Sequence, residues 1–81
     1  MTANVYVKLK QTVLDPQGQT IFRALKKLRH DAVQDVRQGK FFQIRLADGL
    51  SQEQAAAEVQ RIASGVLCNP VMEEYSFTVE Q

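Results

Sequence analysis

The feature that most constrains this chain is a strand-then-helix pattern that occurs twice within 81 residues. Val5, Val7 and Leu9 alternate with Tyr6, Lys8 and Lys10, the period of a half-buried strand. After a loop over residues 11–14, Asp15-Pro16-Gln17-Gly18 opens a helix. Asp15 suits the N-cap, and Pro16 suits the first helical position, where its missing N–H costs nothing. Ile21, Ala24, Leu25 and Leu28 then recur at helical spacing, which predicts a helix over 16–28 with a basic last turn facing the negative end of its dipole. In the second round Phe42, Ile44 and Leu46 alternate with Phe41, Gln43 and Arg45. Ser51-Gln52-Glu53-Gln54 has the form of a capping box. Ala55, Val59, Ile62, Ala63 and Val66 predict a helix over 52–67, stopped by Asn69-Pro70, and Tyr75, Phe77 and Val79 alternate in a last strand.

The middle of the chain admits two readings. Gln38-Gly39 can turn a tight hairpin between a strand at Val33-Gln34-Asp35-Val36 and the strand that follows. Alternatively, residues 33–46 form one strand that bends at Gly39. Either way the prediction is an α+β domain spanning 1–81, built from duplicated β-α-β units and broadly ferredoxin-like. The order is βαββαβ with the hairpin, or βαβαβ with one long bent middle strand. Both helices are expected on one face of an antiparallel sheet. The other face then carries Tyr6, Lys8, Phe41 and Arg45 uncovered, the expected surface for self-association. Size points the same way, because a chain of 9.2 kDa buries only roughly 63% of the surface its unfolded form exposes. A dimer or tetramer would finish that burial.

Composition excludes several classes. Apolar residues make up 44% and charged residues 23%, an ordinary globular balance that argues against disorder. A net charge of +1 is too small for a protein whose main work is neutralising a phosphate backbone. The lone Cys68 cannot form an internal disulfide. No stretch approaches a membrane span, and no basic segment precedes an apolar one at the N-terminus, so the cytoplasm is the expected compartment and a membrane is not an expected partner.

Chemistry-bearing residues are sparse. His30, the only histidine, falls just past the first predicted helix, where it favours the carbonyl end of the dipole. Cys68 has no nearby histidine or second cysteine to form a metal site or an activated thiol. No phosphate loop and no C-x-x-C pair are present. Asp15 and Glu53 have helix-start roles, while Asp31, Asp35, Glu73 and Glu74 surround turns and strand starts. No catalytic, cofactor or metal residues are assigned. Arg37-Gln38-Gly39-Lys40-Phe41-Phe42-Gln43-Ile44 has the ingredients of an RNA-binding strand, but its order departs from the RNP1 pattern. A free-standing ferredoxin-like module for RNA or a small ligand is therefore the second function class.

Four segments carry a family resemblance: Val5-Tyr6-Val7-Lys8-Leu9-Lys10, Val13-Leu14-Asp15-Pro16-Gln17-Gly18, Val33-Gln34-Asp35-Val36-Arg37-Gln38-Gly39-Lys40 and Asn69-Pro70-Val71-Met72-Glu73-Glu74-Tyr75. In order, spacing and total length the chain closely resembles the small PurS subunit of phosphoribosylformylglycinamidine synthase. Leu28-Arg29-His30 and Phe41-Phe42 are minor departures from the family pattern. The resemblance implies a non-catalytic subunit that joins a glutaminase to an ATP-dependent synthetase in purine biosynthesis and assists ammonia transfer. ATP and Mg would be used by the synthetase partner and not by this chain. Partner contacts are expected at Asp15, Pro16, Gln17 and Gly18, and at Arg37, Gly39 and Lys40. Gly18 inside a first helical turn costs about 1 kcal/mol relative to alanine, an excess that suggests something approaches it closely. Arg37 and Lys40 flank Gly39, so a turn there would present both cations together.

Overall fold

Alternation along β1 (Thr2–Leu9) makes it a strand with one face in and one face out, and it becomes the centre of the sheet. In the computed structural model, which describes residues 1–81, β2 (Gly39–Arg45) and β3 (Glu73–Glu80) lie on either side of β1, each antiparallel to it. The outer strands are thus parallel to each other. Between them in sequence, α2 (Gln52–Ile62) makes the crossover that parallel strands require. Helix α1 (Pro16–Lys27) follows β1. The α+β class and the βαβαβ order agree with the sequence reading.

Register assigns the two faces. Val5 pairs with Phe42 and Phe77, Ala3 with Ile44 and Val79, and Val7 with Lys40 and Tyr75. These residues share the inner face, where Val59 and Ala63 from the α2 side, together with Cys68, close over Ala3, Val5 and Val7. Val5, Val7 and Val59 are the largest fully buried side chains, and the core they form is small. Burying a side chain of this size stabilises by about 1.5–3 kcal/mol. Val5→Ala leaves an unfilled space at the centre of that core. It should cost about 2–3 kcal/mol and lower the melting temperature by about 10–20 °C, measured by thermal denaturation.

Helix α2 starts on the expected device. Ser51 Oγ accepts from Gln54 N–H at 3.1 Å, and Gln54 Oε1 accepts from Ser51 N–H at 3.0 Å. Beyond Ile62 the helix continues as one π-helical turn, Ala63–Leu67, and ends where Cys68 turns extended ahead of Asn69 and Pro70. The 52–67 prediction therefore agrees with the structure in extent, though its last turn is wider than an α-helix.

Two expectations are overturned. Residues 33–38 belong to no strand, so there is neither a hairpin at Gln38-Gly39 nor a long strand bending at Gly39; Gly39 is the first residue of β2. The reason lies in where the segment's backbone groups go. Val36 N–H donates to the Asp35 carboxylate and Gln38 N–H to that of Asp15, while Val33 N–H closes a turn onto the His30 carbonyl. Donors spent on side chains and turns cannot build a ladder. The second correction concerns α1. Only α2 covers the inner face of the sheet, and no α1 residue belongs to the core or packs against it.

The molecule is elongated as a result. It measures 51 × 26 × 14 Å with a radius of gyration of 16.1 Å, against about 12 Å for a compact chain of this length. Its accessible surface is 6037 Å², where a compact chain of this mass exposes about 4,900 Å². That excess, roughly 1,100 Å², exceeds the share one partner contributes to a standard interface, about 800 Å².

Candidate interaction site

The outer face of the sheet is the first candidate surface. Tyr6 is 48% and Phe41 55% exposed. Their rings lie 5.2 Å apart, a tilted pair that is already in contact before anything covers it. Arg45 and Glu80 sit opposite each other across Thr2 on this face, and Lys8 pairs with Glu74 at 3.6 Å. The face is thus apolar in the middle, basic toward β2 and acidic toward β3. A two-fold axis along β1 would lay the basic side of one copy over the acidic side of another. All four residues expected for self-association, Tyr6, Lys8, Phe41 and Arg45, lie together here.

The residues expected to meet other subunits are brought together too, and the polar groups of Asp15, Arg37 and Lys40 are bonded within the chain. Asp15 is only 4% exposed. One carboxylate oxygen caps α1, accepting from Gly18 N–H at 3.0 Å, and the other accepts from Gln38 N–H at 2.6 Å. Arg37 reaches back across the same junction, its Nη2 donating to the carbonyls of Lys10 at 3.0 Å and Val13 at 2.9 Å. Gly18 has no room for a side chain, because a Cβ would drive into the Val36 carbonyl and come within 2.6 Å of the Asp15 carboxylate. The group that approaches the first turn of α1 is therefore this chain's own backbone. At Gly39 a Cβ would lie 2.5 Å from the Val7 carbonyl. Together these contacts form a clasp that ties the start of α1 to the segment entering β2. Pro16 and Gln17 stand exposed on its rim.

Lys40 is not the partner of Arg37 at a solvated tip. It begins the inner face of β2 and pairs with Glu73 at 3.3 Å, a residue on the inner face of β3 whose side chain is 13% exposed. Glu73 also accepts from Asn69 N–H at 2.8 Å. The sequence reading set Glu73 among the carboxylates around turns and strand starts and gave it no partner. Its signal was the alternation of Tyr75, Phe77 and Val79, which extends back one step to place Glu73 inward. His30 is exposed in the turn after α1, whereas Cys68 is in the core, so the fold gives them separate surroundings. Burial, with a smaller effect from Glu73, pushes the Cys68 thiol up, which favours the unreactive protonated form.

Asp15 and Glu73 carry a pH dependence. The Gln38 and Gly18 N–H groups, with Arg37 nearby, hold Asp15 below the ordinary carboxylate value, and Asn69 N–H and Lys40 do the same for Glu73. A folded value lower than the unfolded one stabilises the fold fully above the unfolded pKa of about 4. That contribution is lost as pH falls through the lower folded value. Urea denaturation followed from about pH 6 to about pH 2 should show a steep loss of stability on the acid side. Asp15→Asn should flatten it.

Comparison with known proteins gives these surfaces a context. The family model for PurS, described as phosphoribosylformylglycinamidine (FGAM) synthase, matches residues 2–81. The phosphoribosylformylglycinamidine synthase subunit PurS of Mycobacterium leprae is 41% identical over 78 residues, covering 96% of this chain and 94% of that protein. The structure of Methanocaldococcus jannaschii PurS, one of the subunits of formylglycinamide ribonucleotide amidotransferase in the purine biosynthetic pathway, superposes with a TM-score of 0.87 at 36% identity. That match covers 99% of this chain and 95% of that one. A chain in the structure of PurLQS from Thermotoga maritima aligns with a TM-score of 0.86 at 30% identity, over 95% of this chain and 93% of that one.

Proposed function

The chain belongs to the PurS family of phosphoribosylformylglycinamidine synthase, and from this we infer that it is the small, non-catalytic subunit of that enzyme in purine biosynthesis. It acts in the cytoplasm, bridging a glutaminase subunit and an ATP-dependent synthetase subunit. The observation that carries this reading is the family match over essentially the whole chain, since every part of the fold has a counterpart in the relatives.

The chemistry explains why such a subunit is needed. Glutamine hydrolysis in one active site releases ammonia, which the other site must use before water protonates it to the non-nucleophilic ammonium ion. A chain that fixes two active sites in register serves that transfer by positioning, without supplying a reacting group. The excess exposed surface and the aromatic outer face suit a subunit whose burial is completed in an assembly. Pro16 and Gln17, with Arg37, Gly39 and Lys40 behind them, form the region assigned to partner contact, and the Tyr6–Phe41 face is assigned to a second copy of this chain.

Reconstitution tests the reading. Glutaminase and synthetase subunits from the same source should turn over glutamine to product at least ten times faster with this chain than without it. Synthetase turnover supported by added ammonium salt should change little. Glutamine-dependent turnover indifferent to this chain would refute the role. The only specific alternative, an RNA-binding sheet, would need the Phe41 strand to bind single-stranded RNA in a salt-dependent way.

A further inference from the structure

Helix α1 is amphipathic but has no surface to meet. Ile21, Leu25 and Leu28 recur at i, i+4 and i+7 as one stripe, while Arg23, Lys26 and Lys27 lie on the opposite side of the helix. Ile21 is 41% and Leu28 68% exposed, with Leu25 half-buried between them. A cationic side turned to water opposite an apolar stripe is the pattern of a helix that lies on a core. Its own chain offers none, since no α1 residue joins the core cluster.

The clasp holds α1 off the sheet. Asp15 bonds both the first turn of α1 and the backbone entering β2, and Arg37 fixes the loop between β1 and α1. The eight residues of β1 measure about 27 Å and the twelve of α1 about 18 Å, which together account for most of the 51 Å length of the molecule. Helix α1 therefore runs on past the end of the sheet.

The sheet, meanwhile, is short of one helix. Helix α2 lies nearer β3 than β2, and its side-chain bonds to the sheet go to β3. Gln60 Nε2 donates to the Tyr75 hydroxyl at 2.9 Å, and Gln52 Nε2 to the Val79 carbonyl at 3.4 Å. A helix is about 10 Å across, whereas three strands span roughly 14 Å. On the inner side of β2, Phe42 and Ile44 stay half-buried, as does Leu46 just beyond the strand. The seven residues of β2 extend about 23 Å, enough to seat the whole of α1.

We propose that α1 seats its Ile21–Leu25–Leu28 stripe on the inner flank of β2 in a second copy of this chain, while that copy's α1 covers the flank of the first. Each copy has one helix outside its core and one flank uncovered, so a two-fold exchange satisfies both at once. Size agrees, because the surface excess over a compact chain, roughly 1,100 Å², exceeds the share of about 800 Å² that one copy gives a standard interface. Each sheet then carries two helices on one face, and the cations of α1 remain in solvent. The two-fold axis of the outer-face pair runs along β1, so both of its arms leave from the same end. Two such pairs meeting end to end exchange arms about an axis perpendicular to the first, which closes a dimer of dimers. The arm contact is the weaker of the two, since its stripe is already partly covered. It is carried by the fold alone and stands apart from the family role.

Tyr6→Glu with Phe41→Glu isolates the arm contact by removing the outer-face one. In that background sedimentation should show a monomer at micromolar concentration and a reversible dimer as the concentration approaches millimolar. Adding Ile21→Glu with Leu28→Glu, both exposed in the single copy, should keep the chain monomeric throughout, with helix content by circular dichroism unchanged. Cross-linking identifies the surface. A Leu25→Cys chain mixed with an Ile44→Cys chain should give a disulfide-linked heterodimer on oxidation, at least tenfold above the parent chain, whose Cys68 is buried. A background that never dimerises would overturn the proposal, as would a dimer that survives the arm carboxylates. A disulfide dimer formed as readily by Leu25→Cys alone would make the other copy's α1 the occupant instead. Arm carboxylates that spare the assembly but abolish glutamine-dependent turnover would make a different subunit the occupant, and would equally overturn the exchange.

Discussion

Tyr6→Glu combined with Phe41→Glu should abolish self-association while leaving the fold intact. Both rings lie on the outer sheet face, with the core residues Val5 and Phe42 directed to the other side. Each aromatic side chain taken out of water contributes about 1.5–3 kcal/mol. Removing two per copy from a shared interface should weaken association by at least about a hundredfold, near 3 kcal/mol. With a two-fold axis along β1, the new carboxylate at position 6 would also meet its own copy, which adds repulsion. Sedimentation at micromolar concentration should show the variant as a monomer with an unchanged circular dichroism spectrum. A pairing detail follows from the register. Arg45 and Glu80 flank Thr2 on opposite sides, so Arg45→Glu alone should weaken the assembly, and adding Glu80→Arg should restore it. An unaltered oligomer in the aromatic double variant would place the self-association surface elsewhere.

The regular elements were legible because their signals are local. The N-cap at Asp15, the capping box at Ser51 and the alternation in β1 and β3 each depend on residues within four positions of one another, and each element formed where it was expected. Residues 33–38 failed for the opposite reason. Val33 and Val36 look like strand residues, but their N–H groups go to the His30 carbonyl and the Asp35 carboxylate, and the next fixed donor, Gln38 N–H, goes to Asp15, far outside any local window. Arg29 adopts φ 69°, a left-handed turn that redirects the chain after α1, and no glycine announced it. The placement of α1 was missed as well. Its apolar stripe is as regular as that of α2, and periodicity cannot say whether a stripe meets a sheet or solvent.

The motif residues taught a different lesson. Asp15, Gly18, Arg37 and Gly39 were singled out as partner contacts, and the structure turns all four toward the chain itself. One clue was available without coordinates. Counting back by two from Phe42 and from Tyr75 puts Lys40 and Glu73 on the inner face at the same end of the sheet, and opposite charges that share a face invite pairing. The long-range bonds of Asp15 and Arg37, each spanning more than twenty residues, had no such signal.

These internal roles determine the result of reversing both cations near Gly39. If Arg37 and Lys40 sat on a solvated tip, Arg37→Glu with Lys40→Glu would leave the fold untouched. In this structure Arg37 donates to the carbonyl of Lys10, which also accepts from Val13 N–H, and to the carbonyl of Val13, and such charge-assisted bonds contribute about 1–1.5 kcal/mol each when partly exposed. Reversal removes both bonds and sets a carboxylate against the carbonyl oxygens, a loss of about 2–3 kcal/mol from Arg37 alone. Lys40→Glu places a second carboxylate against Glu73, which already has restricted access to water. The melting temperature of the double variant should therefore fall by more than about 10 °C. Glu73→Lys added to Lys40→Glu should recover part of the loss by restoring an ion pair of opposite sense, whereas no single change at a partner's charge should rescue Arg37→Glu, because its acceptors are backbone. A double variant as stable as the parent would mean that the clasp contributes nothing to the fold, and α1 would then need another explanation for its direction.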